Sequence, residues 1–208
     1  MATKRAKTLD NDQFQKLVSF AKERATLPER DELILALSFK AGLRVGEIQK
    51  IDLSAMLDAE GNIAENISVF SHVGKKKRER SIPMHPMIRD ALIAFRKAYP
   101  SATFVAISSQ PFRWAIARGE KVSANAKHKR MSLTALTNYY WDLINDAGFT
   151  GASSHSGRRT FGTSMARQAN LHHCSLRDVQ MLMGHARLDT TESYIEVSKE
   201  ARSLVAAL

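Results

Sequence analysis

The chain has 208 residues, 44% of them hydrophobic, enough to bury a core as one domain or two small lobes. It carries 31 Lys and Arg against 21 Asp and Glu, a formal charge of +10, and its one cysteine, Cys174, excludes an internal disulfide and suits a reducing compartment. No stretch approaches the ~20 apolar residues that cross a bilayer, and the basic start MATKRAK runs into no apolar region of the kind a secretory signal needs; a cytoplasmic protein without membrane attachment is expected.

Taken in chain order, the first 50 residues read as helical. Asp10 caps a helix with Phe14, Leu17, Val18 and Ala21 at i, i+3, i+4 and i+7 spacing. Pro28 sits in the first turn of a second helix, whose apolar stripe is Leu33, Ile34, Leu37 and Ala41. Gly42 ends that helix, and a short third one starts near Arg44. Strand signals follow: Ile67 to Val73 is β-rich, and Ser81 to Met84 lies across a Lys/Arg-rich turn, so the two predict a hairpin. Met87 to Tyr99 returns to helix before Pro100. Residues 106–131, rich in Ser, Gln, Gly, Asn and Lys, read as a surface loop that orders on a ligand. From Ser132 a helix carries Leu133, Leu136, Tyr140 and Leu143 on one face, and Gly148 and Gly151 break it. The expected fold is mainly α with a small antiparallel sheet, in a single domain over residues 1–208, with its core at 9–195 and a tail at 196–208.

The charge is concentrated. Residues 72–130 carry fourteen basic and three acidic side chains, whereas residues 1–71 carry ten and eleven. A concentrated basic region in a foldable chain favours a polyanion partner, bound with strong salt dependence.

Four patches carry candidate chemistry. Arg44 lies in AGLRVGEIQKI, with Glu47 one turn on as a carboxylate that can hold it from behind. Lys75 lies in VGKKKRERSIP. In SSHSGRRTFGT, Ser153 or Ser154 caps a helix that starts near His155, and His155 and Arg158 are three apart on one face. Arg158 offers a planar fork matched to phosphate oxygens. In LMGHARLDTTESY, His185 precedes Tyr194 by nine residues. These are cations for a phosphate, a proton donor and a phenol that can attack. His172, His173 and Cys174 do not make a zinc site, because adjacent residues rarely point together and no fourth ligand is suitably spaced. Tyr99, Tyr139 and Tyr140 read as packing residues.

In that order, the four patches resemble the tyrosine recombinases of the phage-integrase family. AGLRVGEI is similar to the segment with the family's first active-site arginine, HSGRRTF to its H-x-x-R helix, with Arg159 where His is common, and LMGHARLDTTESY to its C-terminal signature. The resemblance implies the catalytic-domain fold of that family. It implies catalysis by Arg44, Lys75, His155, Arg158, His185 and Tyr194, with Lys77 the alternative to Lys75. The tyrosine attacks a phosphodiester, leaving a 3′-phosphotyrosyl link and a free 5′-hydroxyl, with no metal or nucleotide cofactor. The implied partner is double-stranded DNA, gripped through Lys76, Lys77, Arg78, Arg80, Lys127, Lys129 and Arg130.

The resemblance also implies a homotetramer on DNA, monomeric when free. The tail's Ile195, Ala201, Leu204, Val205 and Leu208 would either fold back or dock on a neighbour. The pattern begins within the first dozen residues, as in a stand-alone catalytic domain or a truncated form, so an accessory DNA-binding protein is a further possible partner. Two other readings use the same residues: a type IB topoisomerase, and a DNA-binding regulator whose pocket no longer cleaves. The short length and the L-x-G-H…Y signature favour the recombinase, and the full set of catalytic residue types argues against the regulator.

Overall fold

The computed structural model describes residues 6–71, 78–120, 127–192 and 194. The chain divides into two compact units, residues 1–161 and 162–208. Among the described residues it is mainly helical, with one two-stranded antiparallel sheet.

The first unit is built around a buried helix. α1 (Asn11–Arg24) starts with a reciprocal cap: Asp10 Oδ1 accepts from the Gln13 N–H at 2.8 Å, and Gln13 Oε1 accepts from the Asp10 N–H at 3.1 Å. Its buried residues are the expected Phe14, Leu17, Val18 and Ala21. α2 (Pro28–Lys40) takes Pro28 in its first turn and packs against α1 and against α4 (Pro86–Ala98). Leu33 through Leu37 are all buried, so α2 is apolar nearly all round, as a central helix must be. The Tyr140 hydroxyl on α6 (Leu133–Asp146) donates to the Ile34 carbonyl at 3.0 Å, satisfying the phenol inside the core.

After α2 the chain turns at Gly42, whose φ is +63°, and enters α3 (Val45–Lys50). A 3-10 turn at Leu53–Met56 leads to β1 (Asn66–Ser71), paired with β2 (Arg78–Pro83) in the register Ile67 to Ile82 and Val69 to Arg80. Ile67, Val69 and Ile82 turn inward. The expected ends of the strands shift: β2 begins earlier than Ser81, and His72 and Val73 lie outside the described residues.

Two expectations need correction. Residues 106–131 are not a loop throughout, because α5 (Gln110–Ala117) lies within them. That helix buries only Ala115 fully, with Phe112 stacked on His128 at 5.7 Å, while Trp114 and Ile116 face outward. With so narrow a buried face it lacks the apolar stripe that announces a helix. Leu133 is 51% exposed although Leu136, Tyr140 and Leu143 are buried, because it opens α6 beyond the edge of the core.

α7 (Ser156–Gln168) begins one residue after His155. The Ser153 hydroxyl accepts from the His155 N–H at 3.3 Å, and the His155 carbonyl accepts from Arg159 at 3.0 Å, so His155 itself occupies the cap position. In the second unit, α8 (Leu176–Met183) is capped by Ser175 and Asp178 and ends at Gly184, φ +63°. α9 (Leu188–Glu192) follows and packs on α8.

A side chain at Gly42 would face two penalties: a left-handed backbone and collision with the Phe161 ring. Gly42→Ala is expected to destabilise the protein by about 2–4 kcal/mol. Gly119, also at positive φ but with nothing within 4 Å, should lose about 1–2 kcal/mol on the same change. Urea unfolding of both variants checks this, and equal losses would show that the Phe161 contact is immaterial.

Candidate active site

Gly42 lets the chain reverse after α2 and present Arg44 at the start of α3. Glu47, one turn on, reaches back with Oε2 to the Arg44 N–H at 2.8 Å, and its Oε1 accepts from Arg44 Nη1 at 3.1 Å. This is the holding carboxylate expected from the sequence. Its stronger partner lies elsewhere: Arg80 Nη1 and Nη2 each donate to Glu47 at 2.8 Å, one to each oxygen. Arg80, expected on the DNA-facing surface, is therefore buried in a bidentate ion pair. The signal was in the strand: Arg80 and Ile82 are two apart and share the inward face.

The Glu47 side chain is 10% exposed and that of Arg80 8%, while Arg44 keeps 37%. Burial alone would raise the Glu47 carboxyl, but the hydrogen bonds and charge of Arg80, then Arg44, outweigh it and hold the pKa at about 2. The carboxylate stays ionised and Arg44 turns toward an open cleft of about 870 Å³. His155 lines the same cleft, with Lys50 and the apolar Val45, Val69, Phe70 and Leu133 around it.

Arg158 is buried beside this cleft rather than lining it. Its Nη1 donates to the Gly42 carbonyl at 2.6 Å, from 116 residues away in the chain. α7 can come this close because Gly157 has no Cβ to strike Ser38 and Phe39. Arg158 and Arg44 are thus anchored two residues apart on one turn.

In the second unit, His185 and Tyr194 come together. Their rings stack with centroids 5.6 Å apart and planes 13° apart. His185 is buried; its ring is held by Nδ1, 2.9 Å from the Thr191 hydroxyl, and its backbone carbonyl accepts from Gln180 Nε2 at 3.0 Å. Tyr194 is half-buried and rests against Gly162, where a Cβ would come within 2.9 Å of the phenol ring. The contacts that Thr191, Gln180 and Gly162 make with His185 and Tyr194 were not anticipated from the sequence, although Thr191 belongs to the segment LMGHARLDTTESY.

The other three tyrosines are poor nucleophiles. Burial and the Glu29 carboxylate, which accepts the Tyr99 hydroxyl at 2.8 Å, push Tyr99 far up. Burial likewise raises Tyr139 and Tyr140.

Of the expected DNA contacts, Lys127 and Lys129 are exposed. Arg130 is instead engaged with the protein: it pairs with Asp52, donates to the Gln49 carbonyl at 3.0 Å and lies 4.1 Å over the Phe104 ring. Arg78 opens β2. Lys75, Lys76 and Lys77 lie outside the described residues, as does the tail from Ile195. Among the described residues no group of three His, Cys, Asp or Glu could hold a metal ion, and no helix is long and apolar enough to cross a membrane.

A family model described as the phage integrase family matches residues 7–201. The tyrosine recombinase XerC of Pelotomaculum thermopropionicum is 30% identical over 195 residues, which cover 92% of this chain and 58% of that protein. Among solved structures, XerA recombinase superposes with a TM-score of 0.66 at 21% identity, over 97% of this chain and 64% of that one. The Tn1549 transposon integrase in complex with transposon right end DNA gives 0.68 at 19%, over 100% and 67%. The chain spans about half the length of the curated relatives it matches.

The depressed Glu47 pKa has a pH signature. Its folded value, about 2, lies below the ordinary 4.5, so it stabilises the fold above pH 4.5 and that stability is lost as pH falls toward 2. The shift corresponds to on the order of 3 kcal/mol. Urea midpoints measured across this range should fall more steeply in the native protein than in Glu47→Gln. Equal slopes would assign the acid sensitivity to other carboxylates.

Proposed function

The chain belongs to the phage integrase family, and from that premise we propose that it is a site-specific DNA recombinase working through a 3′-phosphotyrosyl intermediate. The observation that carries this reading is the environment of Tyr194. Alone among the four tyrosines, it combines a half-buried phenol with a stacked, oriented histidine. Relatives named as tyrosine recombinases, and a fold shared with an integrase bound to DNA, support it.

The roles follow from chemistry. A phenol with an ordinary pKa of ~10 attacks poorly at neutral pH unless charge on the phosphate is neutralised. Arg44 and Arg158 supply that neutralisation, with His155 and His185 as further donors to the pentacoordinate transition state. Lys75, or Lys77 in the alternative register, protonates the departing 5′-oxygen. Bond energy stays in the phosphotyrosyl link, so the reverse attack by another 5′-hydroxyl exchanges strands without a cofactor. Lys127 and Lys129 contact the DNA backbone. Exchange between two duplexes calls for four copies, so a homotetramer on DNA is part of the proposal.

Two measurements test it on a nicked duplex carrying the site that the protein selects from random-sequence DNA. Tyr194→Phe is expected to abolish covalent attachment and leave binding nearly intact, since only the attacking oxygen is lost. The wild-type adduct should map to the peptide containing Tyr194; an adduct on Tyr139 or Tyr140 would overturn the assignment. Arg44→Ala and Arg158→Ala should each slow cleavage by ~10² or more with modest loss of affinity. Equal losses in binding and cleavage would mark them as DNA-positioning residues instead.

A further inference from the structure

Two arginines compete for one buried carboxylate. Glu47 Oε1 accepts from Arg80 Nη1 at 2.8 Å and from Arg44 Nη1 at 3.1 Å, while its Oε2 accepts from Arg80 Nη2 and from the Arg44 backbone N–H, each at 2.8 Å. Arg80 therefore holds the fork-to-fork arrangement that guanidinium and carboxylate prefer, and the Arg44 side chain keeps one longer contact. Burial follows the same division, since Glu47 and Arg80 are almost wholly covered and Arg44 is open to the cleft.

Resting on the reading that Arg44 binds the scissile phosphate, we infer that Arg80 is a positioning residue: it occupies Glu47 and so leaves the Arg44 guanidinium available to DNA. A buried carboxylate that loses its bidentate partner is under-compensated and draws more strongly on the nearest remaining cation. With Arg80 gone, that cation is Arg44, whose flexible side chain can turn from its single contact to a bidentate one. The Arg44 charge would then be neutralised within the protein, and the donors meant for the phosphate would point at Glu47. Arg80 thus protects an active-site cation from its own supporting carboxylate. A second consequence is mechanical, because the same pair ties β2 to α3.

A purely structural Arg80 predicts a different pattern of variants. Single-turnover cleavage of the selected nicked duplex at saturating protein, with thermal unfolding of each variant, separates the two. Arg80→Met is expected to lose cleavage by about 10²-fold, the scale of a misplaced catalytic group, at temperatures where it remains folded. Adding Glu47→Gln, whose neutral amide cannot quench Arg44, should restore most of that rate. Arg80→Lys should fall between, because one ammonium cannot serve both oxygens.

Wild-type cleavage by folded Arg80→Met, or a double variant no faster than the single, overturns the inference. If Arg80→Met does not fold, the remaining variants decide: a double variant as slow as Arg44→Ala, or Arg80→Lys at the wild-type rate, overturns it. If the wild type itself fails to cleave, the recombinase reading is at fault, and titration with inorganic phosphate, followed at the Arg44 Nε NMR signal, reads the role of Arg80 alone. A shift seen in the wild type and lost in Arg80→Met supports it; equal shifts in both overturn it.

Discussion

The first unit depends on one close approach, that of the start of α7 to the end of α2. Two glycines permit it. Gly157 leaves room for Ser38 and Phe39, and Gly42 combines a left-handed backbone with the space taken by Phe161. The approach lets buried Arg158 spend a donor on the Gly42 carbonyl, which a side chain so deep requires. The N-terminal segment is tied to the same helix, where the Leu9 N–H donates to the Thr160 hydroxyl at 3.0 Å. Leu43 closes the turn from inside, and Arg44 emerges one residue later. The proposed reaction, with its dianionic transition state, needs cations that are already in place, since moving them during reaction would cost part of the stabilisation they provide. Here the core does the placing.

The buried charges show how the number of donors decides the state of a carboxylate. Asp31 and Glu47 each sit beside an arginine in the interior. Asp31 pairs with Arg30 through its Oδ1, and burial wins, raising its pKa despite the adjacent cation. Glu47 receives four N–H groups from two arginines, and they win instead. Desolvation acts on both carboxylates; saturation of the lone pairs separates them. A carboxylate that is firmly ionised keeps a fixed charge behind Arg44 at neutral pH.

Periodicity and motif spacing made much of this legible. The stripe on α1, the proline at the start of α2 and the hairpin follow from rules that operate over a few residues, and so did the pairing of Glu47 with Arg44. What stayed hidden depends on long-range packing or on which of several like charges turns inward. Within the run from Lys75 to Arg80 every basic residue looks like a DNA contact by charge alone. The alternation in β2, exposed Glu79, buried Arg80, exposed Ser81, buried Ile82, marks the exception. α5 was missed for a different reason: it anchors through Phe112 and Ala115 alone, too little for a pattern. The seat of Tyr194 against Gly162 brings together residues far apart in sequence, and no local rule reaches that far.

The proposed cations and the proposed nucleophile are held by different physical means, and this sets how each tolerates change. Arg158 is anchored by a buried hydrogen bond to the carbonyl of a turn, and Arg44 by a partly exposed contact to Glu47, which Arg80 in turn ties to β2. Substitutions there disturb stability and chemistry together, because the same contacts serve both. Tyr194 is held by ring contacts, stacked on His185 and resting on Gly162. Both of these contacts are made by the ring carbons, not by the phenol oxygen. In the proposed reaction, that hydroxyl bonds to phosphorus while the ring keeps its seat on His185 and Gly162. Tyr140 is the contrast, with its oxygen committed to the Ile34 carbonyl and its ring to the core.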